Sequence, residues 1–156
     1  MTNKNITIAQ LTRERLNEAV DVVLEAELDT RQEIEHHLEH IDAHYIALDG
    51  DNVVGVIGWY QDNVNYATEA MGDKFPGTEA YWVGFFAVLK KYRGRGVGFT
   101  LIKKLDQVLR ERNVDTLWVA SVPQTRVYYE RQGFKFFMSG KIRGNPKFFL
   151  VKSLQS

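Results

Sequence analysis

The sequence predicts an α+β fold, with a mixed, mostly antiparallel central sheet flanked by helices in the order β-α-α-β-β-β-α-β-α-β-β. Three observations lead there. Short apolar or alternating runs of strand length trade places with segments whose apolar residues recur at helical spacing. Two pairs of strand-like runs are joined by turn sequences, Asp49-Gly50-Asp51-Asn52 and the stretch around Gly144-Asn145-Pro146, which argues for antiparallel hairpins. A near-continuous apolar run ending at Val88 passes through a basic glycine turn directly into an amphipathic helix.

Taken in order, Ile6 to Ala9 alternates as a short strand does. Thr12 stands where a cap for the next helix belongs, and Leu16, Ala19, Val20, Val23 and Leu24 form that helix's apolar stripe. Asp29 or Thr30 opens a second helix, with Ile34, Leu38 and Ile41 turned inward. Tyr45 to Leu48 and Val53 to Tyr60 are the arms of the first hairpin. The stretch from Gln61 to Gly77 is polar and broken by Gly72, Pro76 and Gly77, which reads as a long connection. Its aromatics, Tyr66 and Phe75, either line a substrate entrance or fold back onto the sheet. Glu79 to Val88 reads as a buried central strand, with Gly84 a point for a bulge or a close backbone approach. The helix after the glycine turn ends near Arg112-Asn113, and Asp115 to Ser121 is the next strand. Gln124 to Gln132 is a short helix stopped by Gly133, and Phe134 to Ser139 pairs with Lys147 to Lys152.

Length and composition suit one domain, residues 1–156, with a real core: 44% of the residues are hydrophobic and 12% aromatic, which excludes disorder. There is no cysteine, so disulfides, thiolate catalysis and thiolate metal sites are excluded. No apolar signal core or run of membrane-spanning length occurs, and a cytoplasmic protein without membrane partners is expected. The net charge of zero hides an asymmetry. Residues 1–80 hold 5 Lys/Arg and 16 Asp/Glu, residues 81–156 hold 15 and 4, so the halves carry −11 and +11. A basic half suits a polyanionic ligand and an acidic half suits a cationic amine; mutual attraction between two halves of one fold is an equal reading. Aromatics are not interleaved with the basic residues as a stacking platform requires, so nucleic acid is not an expected partner.

The stretch from Val88 to Gly98, Val-Leu-Lys-Lys-Tyr-Arg-Gly-Arg-Gly-Val-Gly, carries the strongest chemical signal. The first turn of a helix presents N–H groups without intrahelical partners and a partial positive charge. Glycines at 94, 96 and 98 let an anion approach the main chain, and Arg93 and Arg95 can add charge-assisted hydrogen bonds. A pocket for phosphate or pyrophosphate follows. The turn is neither a Walker loop, since Gly-x-x-x-x-Gly-Lys-Ser/Thr is absent, nor a dinucleotide fingerprint, since its spacing is Gly-x-Gly-x-Gly.

The spacing Arg93-x-x-Gly96-x-Gly98 resembles the acyl-CoA pyrophosphate loop of the GNAT superfamily, the acyl-CoA-dependent N-acyltransferases. Lys90 stands where a proline is common in that family. A second segment, Tyr128-Tyr129-Glu130-Arg131-Gln132-Gly133-Phe134, is similar to the family's Leu-Tyr-Glu-Lys-x-Gly-Phe, with Glu130, Gly133 and Phe134 matching outright. Val122 and Pro123 sit near the place of an asparagine often found there. Taken singly, Tyr128 and Tyr129 also read as aromatic packing under a helix.

The resemblance implies a GNAT-like fold and transfer of an acetyl group from acetyl-CoA to a primary amine of a small molecule or peptide. Arg93, Gly94, Arg95, Gly96, Val97 and Gly98 would hold the pyrophosphate, and backbone groups of Phe86, Ala87 and Val88 would pair with the pantetheine arm. Tyr129 is the expected general acid. Some relatives carry a glutamate in the middle of the strand, where this chain has Val83. Glu79 at the strand's start is the substitute base, or else water takes the proton. An acyl-CoA-binding regulatory module without turnover is the alternative. The C-terminal strands could pair two chains as a homodimer.

His36-His37-Leu38-Glu39-His40 also matches His-x-x-Glu-His, an inverted zinc-protease pattern. No third ligand is marked out, so a solvated polar face is the plainer reading and no metal is expected.

Overall fold

The computed structural model describes residues 5–61 and 66–155. In chain order the elements are β1 (Ile6–Gln10), α1 (Leu16–Glu25), α2 (Arg31–Leu38), β2 (His44–Asp49), β3 (Asn52–Tyr60), α3 (Tyr66–Met71) and β4 (Tyr81–Val83). There follow β5 (Ala87–Val88), α4 (Val97–Glu111), β6 (Thr116–Ser121), α5 (Arg126–Arg131), β7 (Lys135–Ile142) and β8 (Asn145–Ser153). They divide into two units, Met1–Trp59 with Gly84–Val108, and Tyr60–Val83 with Leu109–Ser156.

In the first unit, β1, β2, β3 and β5 pair antiparallel in that order. Gly50, at φ +59°, turns β2 into β3, with Asp49 opposite Asn52 as the turn chemistry predicts. The Thr30 side chain accepts a hydrogen bond from the Glu33 N–H at 3.2 Å and so caps α2. The apolar stripes of α1 and α2 meet the sheet in an aliphatic core of Leu11, Val20, Val23, Ile34, Leu38, Ile46 and Val56. Each such side chain contributes about 1.5–3 kcal/mol when fully buried.

The second unit mixes directions. Its β4 runs parallel to β6, while β6–β8 and β8–β7 are antiparallel. Its core is aromatic: Trp82 is fully buried, with ring centroids 5.7 Å from Trp118, 6.2 Å from Phe149 and 6.5 Å from Phe75.

Four sequence expectations are corrected. Thr12 caps nothing with its side chain, because a 3-10 turn at Arg13–Arg15 precedes α1 and the Arg15 N–H bonds the Thr12 carbonyl. The connection from Gln61 to Gly77 contains a helix, α3, which sinks Ala67 and Met71 into the aromatic core. Phe75 folds back onto that core, while residues 62–65 and the Tyr66 side chain lie outside the described residues. The Glu79 to Val88 run is not one strand, since Gly84, Phe85 and Phe86 leave the ladder between β4 and β5. The closing turn falls two residues early, on Arg143 (φ +52°) and Gly144 (φ +81°), so Asn145 and Pro146 already belong to β8 and pair with Ile142 and Lys141.

Candidate functional site

The strand break from Gly84 to Phe86, β5 and the glycine turn follow one another in the sequence, within the first unit. At the break, the Gly84 N–H donates to the Gly58 carbonyl at 2.7 Å. Beyond it, Ala87 pairs with Val56 and Val88 with Gly55, and the Leu89 N–H reaches the Val54 carbonyl at 2.9 Å. The chain then tightens into a 3-10 turn at Lys90–Tyr92, where the Lys90 N–H donates to a Glu25 carboxylate oxygen at 2.9 Å.

Gly94 and Gly96 follow with φ of +77° and +81°, a region that strains side-chain-bearing residues. A Cβ built on Gly94 would meet nothing within 4 Å, so the backbone path rather than crowding calls for glycine, and the surface above it is open. The Gly96 carbonyl accepts from the Thr100 N–H at 3.0 Å and from the Thr100 hydroxyl at 2.9 Å, which makes Gly96 the residue that opens α4. Val97 and Gly98 are therefore the first residues of the helix, not the end of the turn. Their N–H groups, with that of Phe99, have no carbonyl inside the helix to bind. Val97 is buried and anchors the helix start.

Arg93 and Arg95 are both exposed, and both are held. The Arg93 Nε donates to the Val88 carbonyl at 2.9 Å, which ties the turn to β5. The Arg95 guanidinium lies over the Tyr92 ring at 5.2 Å, and the Tyr92 hydroxyl donates to the Asp49 carboxylate, a bond that raises the phenol's pKa above its usual value. The Val88 carbonyl is thus already engaged. Leu89 and Ala87 stand at the hydrogen-bonded positions opposite Val54 and Val56, so their backbone groups face β3, whereas the Val88 N–H faces away from it, toward where an added extended chain would pair. An open bed of main-chain donors between two fixed guanidinium groups suits a diphosphate.

Tyr129 and Glu79 belong to the second unit. Tyr129 is buried in α5, its ring 5.5 Å from Phe134 and 5.8 Å from Tyr128. Gly133, at φ +96°, stops the helix, and the Phe134 N–H returns to the Tyr129 carbonyl at 3.1 Å. Burial, with a smaller push from Tyr128, drives the Tyr129 pKa far above the usual phenol value. Glu79 is exposed, and its carbonyl accepts from the Gln61 side chain at 2.9 Å.

The sequence marked the histidines of α2 without finding their setting. His37 is half-buried, its ring edge-on to Phe85 at 5.3 Å. His36 and His40 are exposed, with the His36 ring 5.8 Å from His37 and 6.3 Å from His40. His44 is buried, its Nδ1 2.8 Å from the His40 carbonyl and its ring filling the space where a Cβ on Gly58 would sit, at 2.2 Å. Burial pulls the His44 pKa down to about 4. Among the described residues, no three His, Asp or Glu side chains are placed to hold a metal ion.

A separate groove of about 490 Å³ is lined by Glu18, Asp21, Glu25, Lys91 and Tyr92 among others. Its carboxylates already have partners: Arg15 for Glu18, Arg31 for Asp21 and the Lys90 N–H for Glu25. It includes none of the residues from Gly84 to Val88 or from Arg93 to Gly98.

The model of the acetyltransferase (GNAT) family matches residues 8–134. The chain belongs to that family. Solved GNAT structures share its fold at low identity. One titled as the NatC complex bound to Gag peptide and CoA matches at 17% identity and a TM-score of 0.74, over 97% of this chain and 99% of that one. Ard1 from Thermoplasma volcanium matches at 14% identity and 0.76, over 97% and 99%. N-acetylglutamate synthase from Neisseria gonorrhoeae, complexed with coenzyme A and N-acetyl-glutamate, matches at 19% and 0.72, over 97% of this chain and 35% of that one. No curated protein sequence matches. No helix among the described residues is long and apolar enough to cross a membrane.

Proposed function

We propose that residues 1–156 act as one N-acetyltransferase domain that moves an acetyl group from acetyl-CoA to a primary amine of a small molecule or peptide. The observation that carries this is the Arg93–Gly98 stretch: two exposed glycines in the left-handed region, alternating with two arginines, opening a 15-residue helix. Family membership and the CoA named with two of the structural neighbours support it. So does the pairing of peptide and amino-acid acceptors in those names with an amine substrate.

Acetyl-CoA supplies an activated acyl carbon and a thiolate leaving group. The chain's residues do the rest. Main-chain donors from Arg93 to Gly98 fix the diphosphate, and backbone groups of Phe86, Ala87 and Val88 hold the arm in extended form, so the thioester is presented in one position. A backbone N–H beside the strand break stabilises charge on the thioester oxygen. Tyr129 carries its proton at neutral pH as any phenol does, and it is the acid offered to sulfur; burial raises its pKa further, so the transfer to a thiolate is uphill and depends on proximity. Tyr128, half-buried, is the alternative. For the base, exposed Glu79 and water are equal candidates on position alone. The edge strand β7 is where two copies would pair.

A second reading has one observation in its favour. The middle of β4, at Trp82-Val83, holds no carboxylate, which fits an acyl-CoA-binding regulatory module without turnover. Thiol release from acetyl-CoA across a panel of amines separates the two. Amine-dependent CoA release supports the enzyme, and binding without release for every amine supports the module.

A further inference from the structure

The acyltransferase reading leaves the amine's proton without an assigned acceptor, while α2 carries histidines that the reading does not use. We infer that His37 is the proton acceptor for the attacking amine, with exposed His36 and His40 passing the proton to solvent. The inference rests on the proposed reaction and adds its base.

The argument is one of placement within the first unit. Strand pairing stops at Gly84, Phe85 and Phe86, immediately before the residues proposed to hold the acyl donor. The side of this break formed by Phe85 is covered by α2, whose His37 ring meets the Phe85 ring edge-on at 5.3 Å. No Asp or Glu occurs between Ala80 and Val88, and imidazole is the group there that can take a proton near neutral pH. The histidines grade outward: His44 is buried, His37 half-buried, His36 and His40 exposed. The His36 ring stands edge-on to both His37 and His40, with centroids 5.8 Å and 6.3 Å apart. His44 is locked against Gly58 and bonded to the His40 carbonyl, so it supports the row and does not relay.

The electrostatics agree. The His37 pKa lies below the ordinary 6.5, first through burial and then through His36, with a smaller contribution from His40. Glu33 on α2 and Asp29 just before its cap partly offset this, and the facing Phe85 carries no charge. His37 is therefore neutral, and able to accept a proton, at pH 7.

The step balances. His37 takes one proton from the substrate ammonium and hands it through His36 to water. The freed lone pair forms the N–C bond as the C–S bond breaks, with its electron pair left on sulfur. Sulfur takes a proton from Tyr129, and the second proton leaving nitrogen restores Tyr129 through solvent. One proton is released per acetyl group moved from an ammonium.

The test compares wild type with His37→Gln. The expected results are a kcat lower by about 100-fold, loss of the acid limb from the kcat/KM pH profile, acetyl-CoA affinity within about twofold by calorimetry, and an unchanged melting temperature. Independently of turnover, the His37 ring should titrate below 6.5 by NMR in the free protein. With CoA bound, addition of an accepted amine should shift the His37 signals and leave those of His44 in place. A His37→Gln protein that keeps the limb and the rate overturns His37 alone. A fall in rate with the limb intact assigns His37 a structural role and also overturns the inference. Wild type that binds acetyl-CoA but transfers to no amine overturns the enzyme reading and this inference with it.

Discussion

The Arg93–Gly98 turn and the Tyr128–Phe134 segment are both marked in the sequence by glycine, charge and an aromatic neighbour, yet the two are built in opposite ways. In the turn the Arg93 and Arg95 side chains stand in solvent, and the main chain, bent through positive φ at Gly94 and Gly96, presents the chemistry. In the second segment the glycine only ends a helix, and the informative group is a side chain, Tyr129, sunk against Phe134. An anion site needs exposed donors that cost little to desolvate, whereas a buried phenol holds its proton more tightly than an exposed one. One pattern type therefore marks two different kinds of function, and exposure separates them.

Perturbing the turn should give the largest effect. Gly96→Val puts a β-branched residue at φ +81°, and acetyl-CoA affinity should fall by at least about 100-fold by calorimetry, with the fold intact by circular dichroism. Unchanged affinity would mean that the main chain there binds nothing. Next, Tyr129→Phe removes the hydroxyl but not the ring. Turnover should drop about 10- to 100-fold with cofactor affinity within about twofold. Equal turnover moves the acid role to Tyr128 or to water.

His44 extends the contrast to a buried group with no proposed proton role. Its folded pKa of about 4 lies below the ordinary 6.5, so the unfolded chain binds more protons between these values. Stability contributed by the neutral ring is then present above pH 6.5 and lost as pH falls toward 4. Between pH 7.5 and pH 5 the loss should be about 2 kcal/mol. Denaturant melts of His44→Gln should lack that component of the slope; an equal slope in both proteins would remove His44 as its source. The smallest effect belongs to a side chain of the turn. Arg93→Gln loses the charge and the clamp on the Val88 carbonyl, and affinity should fall about 5- to 10-fold, less so in high salt. A loss matching that of Gly96→Val would show the side chains, not the main chain, to be the main binder.

Much of this was legible beforehand because local chemistry dictated it. The Asp49–Asn52 hairpin, the Thr30 cap, the Gly133 stop and the strand–turn–helix around Gly96 each depend on residues within a few positions of one another. The two larger misreadings depend on partners far along the chain, while those at Thr12 and at the Arg143–Gly144 turn are shifts of a residue or two. Whether Gly84 interrupts its strand is decided by the Gly58 carbonyl, 26 positions earlier. The polar stretch after Gln61 became a helix because Ala67 and Met71 found an aromatic core assembled from Trp82, Trp118 and Phe149. The stretch from His36 to His40 reads as a solvated face because nothing local places His37 against Phe85.

The central claim is that main-chain donors between residues 93 and 98 grip the diphosphate of coenzyme A. A crystal structure of the protein with CoA tests it most directly. The account predicts diphosphate oxygens about 3 Å from the N–H groups of this turn and of the first residues of α4. A diphosphate bound elsewhere, or no CoA in a crystal grown at saturating concentration, would contradict it.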